Sequence, residues 1–154
     1  MDSLFAIQGD PEAMRYTYCS PSREATATRL EEYAARFAED GFAPWIAVLA
    51  AEDRVVGWGG LNKDPREPEW GPEIAYYFDR ACWGRGLAAE LVLESLAYGF
   101  DDLGLPDVGA FTRRENLVSI HLLQKTGFAW VRFVPELERN EYRIFKDSRP
   151  QLDG

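Results

Sequence analysis

One histidine, two cysteines and no long apolar run close off several common chemistries for this chain. A single imidazole, His121, cannot build a histidine-rich zinc site, and Cys19 and Cys82 cannot frame a metal. The same scarcity argues against Ser/His and Cys/His triads, so no metal is expected. The longest apolar run, Ala43 to Ala51, is about half of what a bilayer crossing needs. The first residues carry Asp2 and no basic-then-apolar pattern, so no signal peptide is expected. The expected setting is reduced and cytoplasmic, away from membranes. Basic residues are also few: 17 Lys+Arg against 26 Asp+Glu give a net charge of −9. A phosphate backbone needs positive potential, so nucleic acid is not an expected partner. A cationic substrate, such as an amine or a basic peptide, suits this balance.

What is present is ordinary for a globular chain. The 154 residues, 46% hydrophobic and 28% charged, predict one domain spanning residues 1–154. Ser22 to Asp40 reads as a helix capped by Ser22 and ended by Gly41. Pro44–Ala51 and Arg54–Leu61 read as a hairpin turned at Glu52-Asp53. Gly57, Gly59 and Gly60 in its second strand point to close approach of a backbone or a ligand. A charged, proline-containing loop comes next, then a strand Glu73–Asp79 and a helix Gly84–Leu103. A strand Asp107–Thr112, a helix Glu115–Thr126 closed by Gly127, and strands Phe128–Pro135 and Glu141–Lys146 complete the order. This is mixed α/β, with too few parallel crossovers for a doubly wound sheet.

The segment Cys82-Trp83-Gly84-Arg85-Gly86-Leu87-Ala88-Ala89 follows a strand and opens a helix. Small residues at Gly84, Gly86 and Ala88 let backbone N–H groups converge at a helix N-terminus, a seat suited to a pyrophosphate. An ordinary strand-to-helix turn would use the same glycines. The Gly-Lys-Ser/Thr of a P-loop is missing. The dinucleotide pattern Gly-x-Gly-x-x-Ala is matched by Gly84 to Ala89, but Arg80 to Trp83 separate the strand from the first glycine. Arg113-Arg114 stand where an acidic ribose ligand belongs, which leaves an NADP-binding oxidoreductase fragment as one alternative.

Together with its surroundings the segment resembles the GNAT superfamily of N-acetyltransferases. The family's acetyl-CoA loop, Gln/Arg-x-x-Gly-x-Gly/Ala, corresponds to Trp83-Gly84-Arg85-Gly86-Leu87-Ala88. Trp in the first position is similar to the branch of ribosomal-protein N-terminal acetyltransferases (RimJ/RimL type). That branch's Asn-x-x-Ser and Lys-x-Gly-Phe correspond to Asn116-Leu117-Val118-Ser119 and Lys125-Thr126-Gly127-Phe128, and its pre-loop strand to Glu73–Asp79. The resemblance covers about residues 10–147. It implies a GNAT fold, α/β (α+β), with a central mixed, mostly antiparallel sheet, helices on both faces and a V-shaped opening at the acetyl-CoA site. One departure concerns the start: Leu4–Ile7 and Met14–Tyr16 match the end of the family's first helix and the segment after that helix. The usual first strand has no counterpart, so either the sequence begins late in the pattern or something else covers that sheet edge.

The resemblance implies direct transfer of acetyl from acetyl-CoA to a primary amine, on a small molecule or a peptide N-terminus, with a second copy of the chain as a further candidate partner. A non-catalytic acyl-CoA-binding protein of the same fold is the other alternative. Backbone groups of Tyr77, Phe78 and Asp79 would pair with the carbonyl and pantetheine arm, and Trp83, Gly84, Arg85, Gly86, Leu87 and Ala88 with the pyrophosphate. Glu73 stands where several members place a base; a solvated strand-end carboxylate is the plain alternative. The tyrosine that many members use as acid corresponds to Leu123, which leaves Ser119 as the available hydroxyl. Asn116 and Ser119 are also expected to contact the cofactor, with helix capping as the alternative for Asn116 and a bond back to the helix for Ser119. His121, about 200° round the helix from Ser119, is expected at the surface or in packing. Cys82 lacks an adjacent base and is not expected as a nucleophile. Tyr16, Tyr18, Trp45, Trp58 and Trp70 are candidates for lining an amine pocket through cation–π contacts, with core packing as the default for Trp45 and Trp58.

Overall fold

The computed structural model describes residues 1–150. Helix α1 (Asp2–Gln8) is followed by α2 (Arg23–Ala35), where the Ser22 Oγ accepts the Ala25 N–H at 3.1 Å. The predicted single helix to Asp40 is instead broken at Arg36. A short α3 (Phe37–Asp40) ends at Gly41 in the left-handed conformation, φ 79°. Strands β1 (Trp45–Leu49), β2 (Arg54–Asn62) and β3 (Glu73–Phe78) lead into α4 (Leu87–Ala97), β4 (Asp107–Thr112), α5 (Leu117–Lys125), β5 (Ala129–Val134) and β6 (Arg139–Phe145). Helix α4 starts three residues later than predicted because Gly86 has φ 78°, which no right-handed helix accepts. Its predicted tail is a wider π-type turn, Tyr98–Asp102.

The six strands form one sheet in the order β1-β2-β3-β4-β6-β5. Only β3 and β4 run parallel. A dinucleotide-binding half needs three parallel strands, so the NADP alternative fails on topology. Strand β1 lies at an edge, and no described strand precedes it, as the missing first strand predicts.

One face of the sheet packs under α4 and α5 in the main core, where Ile74, Val92, Leu96, Val108, Leu123 and Ile144 are buried. The other face meets α1 and α2 through Leu4, Tyr33 and Trp58. Two of the β2 glycines, Gly57 and Gly59, are explained by the neighbouring strand β3, and the third, Gly60, by the Ser95 hydroxyl of α4, 2.9 Å from where its Cβ would stand. A Cβ on Gly59 would collide with the Ala75 carbonyl, and one on Gly57 with Phe78 and the Tyr77 carbonyl. At Gly57 and Gly59 the close approach is therefore that of β3.

Candidate active site

Strands β3 and β4 share one bridge. Glu73 is in register with Gly109, whose N–H donates to the Pro72 carbonyl at 3.0 Å, and beyond it the strands part. On its other side β3 stays paired with β2 along its whole length. The Asp79 N–H continues that edge, donating to the Val56 carbonyl at 2.8 Å. Backbone groups alternate along a strand, so Glu73, Ala75, Tyr77 and Asp79 turn theirs toward β2. Those of Tyr76 and Phe78 share parity with Pro72 and face the gap. The expectation of free backbone from Tyr77 to Asp79 is thus corrected: Phe78 fits it through its N–H alone, Tyr76 joins it, and Tyr77 and Asp79 are tied to β2. The Asp79 carboxylate is engaged too, accepting from the Ala81 N–H at 3.1 Å and pairing with Arg54 at 3.0 Å.

The glycine loop lies at the far end of this gap. Trp83 is half exposed and its Nε1 donates to the Phe78 carbonyl at 3.1 Å. Gly84 and Gly86 have φ of 75° and 78°, and a Cβ on either would meet nothing within 4 Å. Glycine serves here to hold a left-handed backbone beside open space. Gly86 caps α4 without a side-chain hydrogen bond. The first N–H groups of a helix have no internal acceptor, so those of Leu87 and Ala88 are available beside the positive end of the dipole. Their side chains pack inward on Val56, Phe78 and Cys82, while Arg85 is exposed. An edge of free strand backbone ending at uncapped helix N–H groups fits an extended thioester arm followed by a pyrophosphate.

The other wall is the start of α5. Asn116 caps it, its Oδ1 accepting the Ser119 N–H at 3.2 Å, so the capping reading holds for this oxygen. Ser119 Oγ lies 2.9 Å from the Tyr76 hydroxyl. Sequence reasoning does not single out Tyr76; the available signal is the strand's alternation, which puts Ile74, Tyr76 and Phe78 on the face under α4 and α5. Leu123 is buried in the core and offers no polar group. His121 is exposed, as predicted.

Glu73 points to the opposite face from Tyr76 by the same alternation. It is half buried, and its carboxyl pKa is pushed up to about 8. Burial is the main cause and the negative charge of Asp64 adds to it, while Arg139 pulls the other way. Asn62, opposite Glu73 in β2, donates from Nδ2 to the Glu73 carbonyl at 3.2 Å and fixes that strand end.

The aromatic expectations are partly corrected. Tyr16, Tyr18 and Trp70 each already carry a guanidinium against the ring, from Arg15 at 5.3 Å, Arg29 at 4.7 Å and Arg132 at 5.7 Å. Trp58 is buried, stacked on Tyr77 and edge-on to Tyr33. Trp45 is not core: it lies exposed on the edge strand β1, tilted against Tyr98. Cys82 is buried with the Arg54 Nη2 at 3.6 Å from its sulfur, and Cys19 is exposed and free. Among the described residues no cluster of His, Cys, Asp and Glu could hold a metal ion. None of the described helices is long and apolar enough to cross a membrane.

Residues 1–129 match the family described as acetyltransferase (GNAT) domain. The sequence is 29% identical over 145 residues to the uncharacterized N-acetyltransferase p20 of Bacillus licheniformis, covering 93% of this chain and 81% of the relative. The fold is similar to an acetyltransferase from Agrobacterium tumefaciens, with TM-score 0.79, 20% identity, and coverage of 93% of this chain and 83% of the other. It is also similar to the spermidine N-acetyltransferase from Vibrio cholerae in complex with CoA and spermine, with TM-score 0.72, 18% identity, and coverage of 94% and 88%. At these identities the structural likenesses speak for the fold alone.

Proposed function

The chain belongs to the acetyltransferase (GNAT) family, and on that premise we propose that it moves acetyl from acetyl-CoA directly to a primary amine, on a small molecule or a peptide N-terminus. The observation that carries this reading is the gap between β3 and β4, edged by the unpaired backbone of Tyr76 and the Phe78 N–H and ended by the uncapped α4. Phe78 and Trp83 border the arm; Gly84, Arg85, Gly86, Leu87 and Ala88 surround the pyrophosphate; Asn116 and Ser119 close the opposite wall. Bound acetyl-CoA supplies the activated thioester, and the chain supplies position and proton management. Glu73, whose carboxyl is pushed up to about 8, is suited to accept the amine proton as the pH rises toward that value. Ser119 offers a hydroxyl on the leaving-group side. The Trp83 loop and the Asn116–Ser119 and Lys125–Phe128 motifs favour the branch of ribosomal-protein N-terminal acetyltransferases within the family. The test is an amine panel including polyamines, amino acids and short peptides, read by free-thiol release. Acetyl-CoA-dependent release with at least one amine is expected; binding of acetyl-CoA without release for any amine would favour a non-catalytic acyl-CoA-binding protein.

A further inference from the structure

We propose that the Tyr76 hydroxyl is the group that protonates the departing thiolate, with Ser119 positioning and reloading it. The proposal rests on the acetyl-transfer reading above and adds the acid. Tyr76 Oη and Ser119 Oγ lie 2.9 Å apart, bridging β3 and α5 on the helix-covered side of the gap. The Tyr76 backbone, like the Phe78 N–H, faces that gap, so a thioester lying along this strand edge passes beside the Tyr76 ring. Three residues earlier, Glu73 begins the strand with its side chain on the other face. Three strand residues span about 10 Å. One strand thus presents a carboxylate on the acceptor side and a phenol on the leaving-group side of the same seam.

Proton affinity decides between the two hydroxyls. Proton transfer is effective when donor and acceptor are matched, and a phenol, ordinarily near 10 and here held higher by burial, is still far closer to a thiol near 8.5 than an aliphatic hydroxyl is. An aliphatic hydroxyl is a far weaker acid and cannot serve alone as a matched donor. Burial holds the Tyr76 phenol above its ordinary range, while the contact with Ser119 draws it back down. Tyr76 therefore stays protonated at neutral pH, and Ser119 supplies the hydrogen bond that a phenolate needs. Leu123, in the main core, offers no competing group.

The step balances. The amine nitrogen forms the new bond to the acetyl carbon, and the carbon–sulfur bond breaks with its electron pair going to sulfur. The amine gives its proton to Glu73 and on to water. Tyr76 Oη gives its proton to the sulfur and is reloaded in one concerted relay, Ser119 Oγ passing a proton to it while taking one from water, so no serine alkoxide forms. The net products are the acetylated amine and the free thiol.

The test needs no acceptor for its first readout. CoA bound to wild type, Tyr76→Phe, Ser119→Ala and Ser119→Thr is titrated by the ultraviolet absorbance of its thiolate, with the dissociation constant of CoA measured alongside. Loss of the phenol should raise the bound thiol pKa by about one unit, a tenfold change in proton affinity. CoA affinity should stay within about threefold. Ser119→Ala should give a smaller rise, and Ser119→Thr, which keeps the hydroxyl, little or none. The single-turnover rate with the best amine of the panel should fall at least about 10²-fold in Tyr76→Phe. An unmoved thiol pKa, or an unmoved single-turnover rate, overturns the assignment while leaving acetyl transfer intact. A wild-type protein that binds no CoA overturns the acetyl-transfer reading, and the assignment with it.

Discussion

Glu73 and Gly109 form the single register bridge between the two parallel strands at the centre of the sheet. Everything specific to the candidate site depends on where that bridge stops. Before it, the Gly109 N–H closes the seam on the Pro72 carbonyl. After it, the β3 edge that faces β4 carries backbone groups with no strand partner, an arrangement costly inside a protein unless a ligand or water completes it. The residue at the fork is the carboxylate assigned as base.

Replacing that carboxylate should separate chemistry from binding. Glu73→Gln keeps the length and strand fit, so acetyl-CoA affinity should be nearly unchanged while the rate falls about 10²- to 10⁴-fold. Because the base works deprotonated and its pKa stands at about 8, the wild-type rate should rise with pH up to that region. The variant should lack this limb. Profiles of the same shape, with a rate loss under about threefold, would make Glu73 a structural strand residue.

The same group predicts a stability signature independent of any substrate. Its folded pKa, about 8, lies above the ordinary 4.5, so the folded state holds the proton more tightly than the unfolded chain. Between these values the native state binds more protons, and stability contributed by this site falls as pH rises. Glu73→Gln removes this dependence. The variant should melt like wild type near pH 4 and above it at pH 8 to 9. Equal melting temperatures at both ends would mean that Glu73 is solvated.

Gly86→Ala addresses the loop. A Cβ there meets no atom of the protein, so the damage to folding should be limited to left-handed strain of about 1–2 kcal/mol. Acetyl-CoA affinity should drop at least tenfold, because the Cβ enters the space beside the α4 N–H groups. Calorimetry of the folded variant checks this, and unchanged affinity would move the phosphate site elsewhere.

Much of this is legible in the residues. Periodicity accounts for the order of elements, β4 to the residue, and the helix-start rule for the cap at Ser22. The glycine loop locates the helix N-terminus, although Gly86 delays the helix because left-handed φ cannot be read from composition. The hinge at Arg36 leaves no sequence mark, since Arg and Phe both accept helical geometry. Tyr77 and Asp79 are misassigned from sequence because parity relative to β2 depends on register, which is a tertiary property. Tyr76 is missed for a related reason: its partner, Ser119, lies 43 residues away and only the packing of α5 brings them together. Trp45 is expected in the core on hydrophobicity alone, yet it lies on an edge strand that packs on one side only.

Isothermal titration of the wild-type chain with acetyl-CoA, repeated with NADPH, tests the central claim that the gap between β3 and β4 is an acyl-CoA site. The predicted result is one-to-one binding of acetyl-CoA in the micromolar range, weakened by Gly86→Ala, and no heat from NADPH. Saturable NADPH binding with no acetyl-CoA signal would contradict it.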